Sequence, residues 1–173
     1  MRLFLIGMPG SGKTTLGRAL AAYYSLTFVD LDEVIVQREG RSIVDLFAAE
    51  GEAYFRSAEA KALRAVLADY PAVVLATGGG TPCFHANAEL LRASGLTLWL
   101  DVPVEELVRR LVQQAAHRPL LAGLPDPEAL KNRLAETLQA RREFYATAAL
   151  RCQASVCSPE AVVRLIAQYT ATA

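Results

Sequence analysis

Short apolar runs alternate along the chain with longer stretches in which apolar residues recur every three or four positions. The runs are Arg2 to Ile6, Leu26 to Asp30, Ala72 to Thr77, Leu96 to Val102 and, more weakly, Cys152 to Cys157. Most are continuously apolar, the pattern of strands covered on both faces of a parallel sheet. Helical spacing falls between them, in Thr14 to Tyr24, at Ile43, Leu46 and Phe47, and from Glu52 to Asp69, where Phe55, Leu63, Val66 and Leu67 share a side. Pro103 to Gln114 opens on a proline that the first turn tolerates, and Glu128 to Tyr145 and Pro159 to Tyr169 supply two more helices. The alternation predicts an open α/β sheet with helices on both faces.

Two interruptions break this rhythm. More than forty residues separate Asp30 from Ala72, too many for one crossover helix, so two or three helices there must build something beyond the sheet. The second is Gln114 to Pro127, with Pro119, Gly123, Pro125 and Pro127, which cannot be one regular element. A segment of that kind in a compact domain is commonly a functional lid.

The 173 residues suit a single domain with one substantial core, and 53% apolar with 21% charged residues excludes disordered and disulfide-scaffold classes. Eighteen basic residues balance eighteen acidic ones, which argues against bulk electrostatic binding to nucleic acid or an anionic membrane. Only Lys13, Lys61 and Lys131 of the basic residues are lysines. Cys83, Cys152 and Cys157 form an odd set without C-x-x-C spacing, and read as thiols of a reducing compartment rather than as a structural disulfide. The apolar start Leu3 to Ile6 stops at Gly7, too short for a signal peptide or membrane span, so a cytoplasmic protein is expected.

Gly7-Met8-Pro9-Gly10-Ser11-Gly12-Lys13-Thr14 fits G-x-x-x-x-G-K-[ST], between an apolar strand and a helix as that pattern requires. Such a loop wraps phosphate in backbone N–H groups at a helix N-terminus. Lys13 would reach the β- and γ-phosphates of ATP, and Thr14 would offer its hydroxyl to Mg²⁺. Asp30 and Asp32 form D-x-D at the end of the second strand, where ligands of open α/β sheets gather. One carboxylate can hold Mg²⁺ through water while the other takes the proton of an acceptor hydroxyl; alternatively Asp32 merely caps the next helix. Gly78-Gly79-Gly80 follows the third strand, and six of the eleven glycines lie in this cluster and the phosphate loop, which suggests bare backbone around one shared ligand crevice. Arg56, between Glu52 and Glu59, reads locally as an exposed helical ion-pair row, and Arg141 as a solvated face. Arg118 in the irregular segment is a candidate for stabilising transition-state charge.

These residues together resemble the shikimate kinase family. The similarity runs from Gly7 to Arg18, through Phe28 to Asp32, Gly40-Arg41-Ser42-Ile43, Phe47 and Gly51-Glu52-x-x-Phe55-Arg56-x-x-Glu59. It continues with Thr77 to Gly80, Arg118 to Leu121 and Arg141-x-x-x-Tyr145, in the family's order and over nearly the whole chain. The resemblance implies a three-layer α/β/α phosphate-loop fold of the nucleoside-monophosphate-kinase type, with a five-stranded parallel sheet, an acceptor-binding insertion at about 31–69 and a lid at about 112–127. It implies transfer of the ATP γ-phosphoryl group to the 3-hydroxyl of shikimate. Asp32 would be the base, Thr14 and Asp30 the Mg²⁺ contacts, and Lys13 and Arg118 the remaining catalytic groups. ATP would meet Gly10, Ser11, Gly12, Lys13, Thr14, Thr15, Arg118, and Arg110 and Pro159 beside adenine. Shikimate would meet Asp32, Arg56, Gly78, Gly79, Gly80 and Arg141, the arginines clamping its carboxylate. The expected protein is a monomer acting on small molecules. A related small-molecule kinase, such as a gluconate kinase, and a non-catalytic nucleotide switch are the competing readings.

Overall fold

The computed structural model describes residues 1–116, 126–153 and 157–172. In chain order these form β1 (Arg2–Ile6), α1 (Lys13–Tyr24), β2 (Phe28–Asp30), α2 (Leu31–Glu39), α3 (Ile43–Asp69), β3 (Val73–Ala76), α4 (Asn87–Ser94), β4 (Leu96–Asp101), α5 (Val104–Ala116), α6 (Pro127–Tyr145), β5 (Leu150–Gln153) and α7 (Pro159–Thr172). The strands make one parallel sheet of five in the order β2-β3-β1-β4-β5.

Alternate residues of β1 enter two separate cores. Leu3 and Leu5 pack with Leu16 and Leu20 of α1 and Val162 and Ile166 of α7. Phe4 and Ile6 face Leu63 and Val66 of α3, Leu107 of α5, Leu134 and Tyr145 of α6. Burial on both faces is what the continuously apolar runs demanded. It also leaves only the strand ends open to a ligand, and the segments leaving β1, β2 and β3 meet there.

The sequence expectation differs from the structure in two places, the last strand and the cysteines. The last strand begins at Leu150, not Cys152, because β5 lies at the sheet edge and alternates, with Leu150 and Cys152 buried and Arg151 exposed. A search for continuous apolar runs passes over such a strand. The insertion after β2 holds the expected helices, α2 plus a long α3 whose backbone breaks at Gly51, where φ is 78° and favours glycine. Finally, Cys152 and Cys157 are joined in a disulfide, contrary to the expected thiols, while Cys83 is free. Their Cα atoms stand 5.6 Å apart, within bridging range.

Candidate active site at the strand ends

The phosphate loop forms as expected between β1 and α1. Gly7, Gly10 and Gly12 all hold positive φ, which curls the backbone around the Lys13 side chain. The Lys13 ammonium donates to the carbonyls of Gly7 and Met8, each at 2.9 Å. It is buried, and desolvation pulls its pKa down to about 8, against the opposing charges of Asp32 and Asp30.

The two aspartates divide as their positions dictate. Asp30 ends β2 and caps α2, its Oδ1 accepting from the Asp32 amide at 3.1 Å, so the capping role belongs to Asp30 and not to Asp32. Its other oxygen accepts from the Thr14 hydroxyl at 2.8 Å. One hydroxyl and one carboxylate side by side suit a hard cation that takes its remaining ligands from phosphates and water. Among the described residues no group of three or more His, Cys, Asp or Glu side chains could hold a metal alone. Asp32 is left without a cap to make, and its pKa is pushed up to about 6 by desolvation first, then by the charges of Asp30 and Glu59. A carboxylate poised there can accept a proton near neutral pH.

Gly78, Gly79 and Gly80 are bare because other site residues lie against them. A β-carbon on Gly78 would stand 2.8 Å from Glu59 Oε1 and 3.2 Å from Asp32 Oδ1. On Gly79 it would stand 2.7 Å from Pro9 Cδ and 3.1 Å from an Arg141 guanidinium nitrogen. On Gly80 it would meet both terminal nitrogens of Arg56 at 2.6 Å. None of the three holds φ in the left-handed range, so close approach and not backbone conformation excludes a side chain. The strip therefore gathers Asp32 from α2, Arg56 and Glu59 from α3, Arg141 from α6 and Pro9 from the phosphate loop.

Arg56 does not belong to an exposed ion-pair row, since it is only 8% exposed. Its Nη1 donates to Glu59 at 3.0 Å, Nε and Nη2 donate to Glu52, and the guanidinium lies 4.4 Å over Phe84. Glu59 is fully buried and also accepts from the Thr81 hydroxyl at 2.6 Å. The sequence reading assigned Glu59 and Thr81 no role. The local pattern shows Glu59 only as a helical neighbour of Arg56, and Thr81 reaches it across 22 positions of sequence.

A cavity of about 710 Å³ joins these parts, lined among others by the phosphate loop from Pro9 to Thr15, Asp30, Asp32, Gly78, Gly79, Arg110, Cys157 and Pro159. Both Arg109 and Arg110 pair with Glu106 on the same helix, but only Arg110 also donates to the Ser11 carbonyl, at 3.0 Å. Arg56, Gly80 and Arg141 are not among the lining residues and join the cavity through the glycine strip. Arg118 and most of the expected lid lie outside the described residues.

The family model described as shikimate kinase matches residues 9–171. Shikimate kinase of Azobacteroides pseudotrichonymphae is 42% identical over 149 residues, covering 86% of this chain and 87% of its own. That of Phocaeicola vulgatus is 47% identical over 147 residues, covering 85% and 83%. Among solved structures, the Bacteroides thetaiotaomicron shikimate kinase superposes with a TM-score of 0.86 at 36% identity, covering 95% of this chain and 96% of its own. The Acinetobacter baumannii shikimate kinase in complex with shikimate gives 0.82 at 31%, covering 96% and 93%. A gluconokinase of Sinorhizobium meliloti, at 0.57 and 18% identity, shares the fold alone. With a family match over nearly its whole length and relatives above 40% identity over most of it, this chain belongs to the shikimate kinase family.

Proposed function

We propose that the protein transfers the γ-phosphoryl group of ATP to the 3-hydroxyl of shikimate, giving shikimate 3-phosphate and ADP. The observation that carries this reading is the glycine strip, which gathers the Asp32 carboxylate, the Arg56–Glu59 pair and the Arg141 guanidinium beside a phosphate-binding loop. That set matches an acceptor with both a reacting hydroxyl and a carboxylate. Guanidinium groups grip a carboxylate through paired N–H donors, which an ammonium cannot imitate.

In this reading the loop from Gly10 to Thr15 holds the phosphates, and Lys13 offsets charge on the β- and γ-oxygens. Arg110 and Pro159 flank the adenine end of the cavity. Arg56 and Arg141 hold the shikimate carboxylate, Gly78 to Gly80 supply backbone contacts, and Asp32 takes the proton as the hydroxyl oxygen attacks phosphorus. Thr14 and, through water, Asp30 hold Mg²⁺, which when bound neutralises charge on the phosphates. Arg118 contributes from the lid at about 112–127, and residues of about 31–69 form the acceptor-binding region. The protein acts as a cytoplasmic monomer on small molecules, with neither nucleic acid nor membrane as partner; no described helix is long and apolar enough to cross a membrane.

A coupled assay of ADP release with ATP and Mg²⁺ tests the reading. Release should depend on shikimate and disappear in Lys13→Ala. Release with gluconate and not with shikimate would replace the acceptor, and nucleotide binding without acceptor-dependent release would indicate a switch.

A further inference from the structure

Tyr145 is the largest fully buried side chain, and its phenol does not touch the cavity. It lies one helical turn after Arg141 on α6, so the two side chains share a face. The hydroxyl donates to the Gly79 carbonyl at 2.6 Å and stands 3.7 Å from Met8 Sδ in the phosphate loop. The Arg141 guanidinium packs against the α-carbon of that same Gly79. The ring rests near Trp99 of β4, with centroids 5.9 Å apart, which anchors the phenol to the sheet.

We propose that Tyr145 is a positioning residue for acceptor recognition, its hydroxyl fixing the Gly79 peptide against Arg141 so that the glycine strip and the guanidinium hold one geometry. The proposal rests on the shikimate reading above.

Two features make the tie more than core packing. The Gly79 carbonyl is the one backbone acceptor in the strip that a side chain from α6 reaches among the described residues. A rigid strip matters because Gly78 touches Asp32 and Gly80 touches Arg56, so a shift of the Gly79 peptide displaces the neighbours of both. Burial pushes the phenol pKa up to about 12, against the positive charge of Arg141. The phenol stays protonated near neutral pH and donates to the Gly79 carbonyl.

Tyr145→Phe keeps the ring and removes the hydroxyl. The loss of one neutral hydrogen bond, converted to affinity, predicts a shikimate Kd and KM raised about three- to tenfold, with ATP values unchanged. A merely structural role would lower the melting temperature and leave the shikimate Kd of the folded protein as it was. The second test is a double-mutant cycle with Arg141→Lys, read as shikimate Kd by isothermal titration. The pair should lose less than the sum of the singles, because both alter the same contact. Additive losses, equal effects on ATP and shikimate, or an unchanged shikimate Kd in Tyr145→Phe would overturn the proposal. Absence of shikimate binding by the wild-type protein would instead overturn the acceptor assignment, and the role of Tyr145 with it.

Discussion

The Arg56 guanidinium lies flat against Gly80, so that a β-carbon there would stand 2.6 Å from both of its terminal nitrogens. Gly80 itself has φ −91° and ψ −12°, a conformation any residue adopts, so the arginine alone excludes a side chain. Nor can the arginine easily retreat, since Glu59 and Phe84 hold it from two directions.

Gly80→Ala should therefore raise the shikimate KM about tenfold or more, by pushing the guanidinium off its line, and leave nucleotide binding intact. Steady-state kinetics with each substrate varied in turn checks this. An alanine variant with unchanged shikimate KM would show that the contact does not matter to the acceptor.

Asp32 and Asp30 should separate in function. Asp32→Asn should remove most of the turnover, because an amide cannot accept the hydroxyl proton, and leave ATP binding near normal. Asp30→Asn should raise the magnesium requirement. Parallel magnesium titrations would expose any failure of this division as identical behaviour of the two variants.

The pH dependence follows from the two shifted groups. kcat/KM should rise as Asp32 ionises through about pH 6 and fall as Lys13 loses its proton through about pH 8, giving a bell. For stability the sign at Asp32 is the reverse of a salt-bridged carboxylate. Its folded pKa is raised above the ordinary 3.8, so the folded chain holds the proton more tightly, and stability is lost as pH climbs from about 4 to about 6. Asp32→Asn should then be more stable than wild type at pH 7, by about 1–2 kcal/mol after allowance for partial exposure. Denaturant unfolding at pH 4 and pH 7 would show whether that gain vanishes in acid, as it should.

Arg56→Ala and Arg141→Ala should each weaken shikimate about ten- to a hundredfold, the worth of a charge-assisted hydrogen bond, without altering ATP affinity. Lysine should rescue only part of this. Calorimetric titration of shikimate decides it, and normal affinity in either alanine variant would move the acceptor toward an uncharged molecule.

The Cys152–Cys157 bridge should be visible in thiol counts. Denatured without reductant, the protein should show one reactive thiol, Cys83, and three after reduction. The bridge closes a short loop, so its loss should cost only about 2 kcal/mol. A count of three before reduction would mean that both sulfurs are thiols, as the sequence alone had suggested.

By itself the sequence determined the architecture and the phosphate end of the site, for a local reason. Buried parallel strands need continuous apolar runs, and the phosphate loop is eight consecutive residues whose chemistry is written in their order. Asp30 and Asp32 were legible because two residues suffice to place them at a strand end, although the cap of α2 is Asp30 and not Asp32, the residue that the sequence had offered for it. The acceptor end is different. Arg56, Arg141 and Gly78 to Gly80 were brought forward as a group only by family resemblance, because each arginine taken alone has a surface explanation. Their convergence depends on α3, α6 and the segment after β3 meeting over one sheet end, with contacts that cross tens of residues of sequence. The same holds for Glu59 with Thr81 and for Tyr145 with Gly79. Periodicity records which side of a helix faces inward, but the partner it meets there is set by how the helices dock on the sheet, and that only the tertiary structure decided.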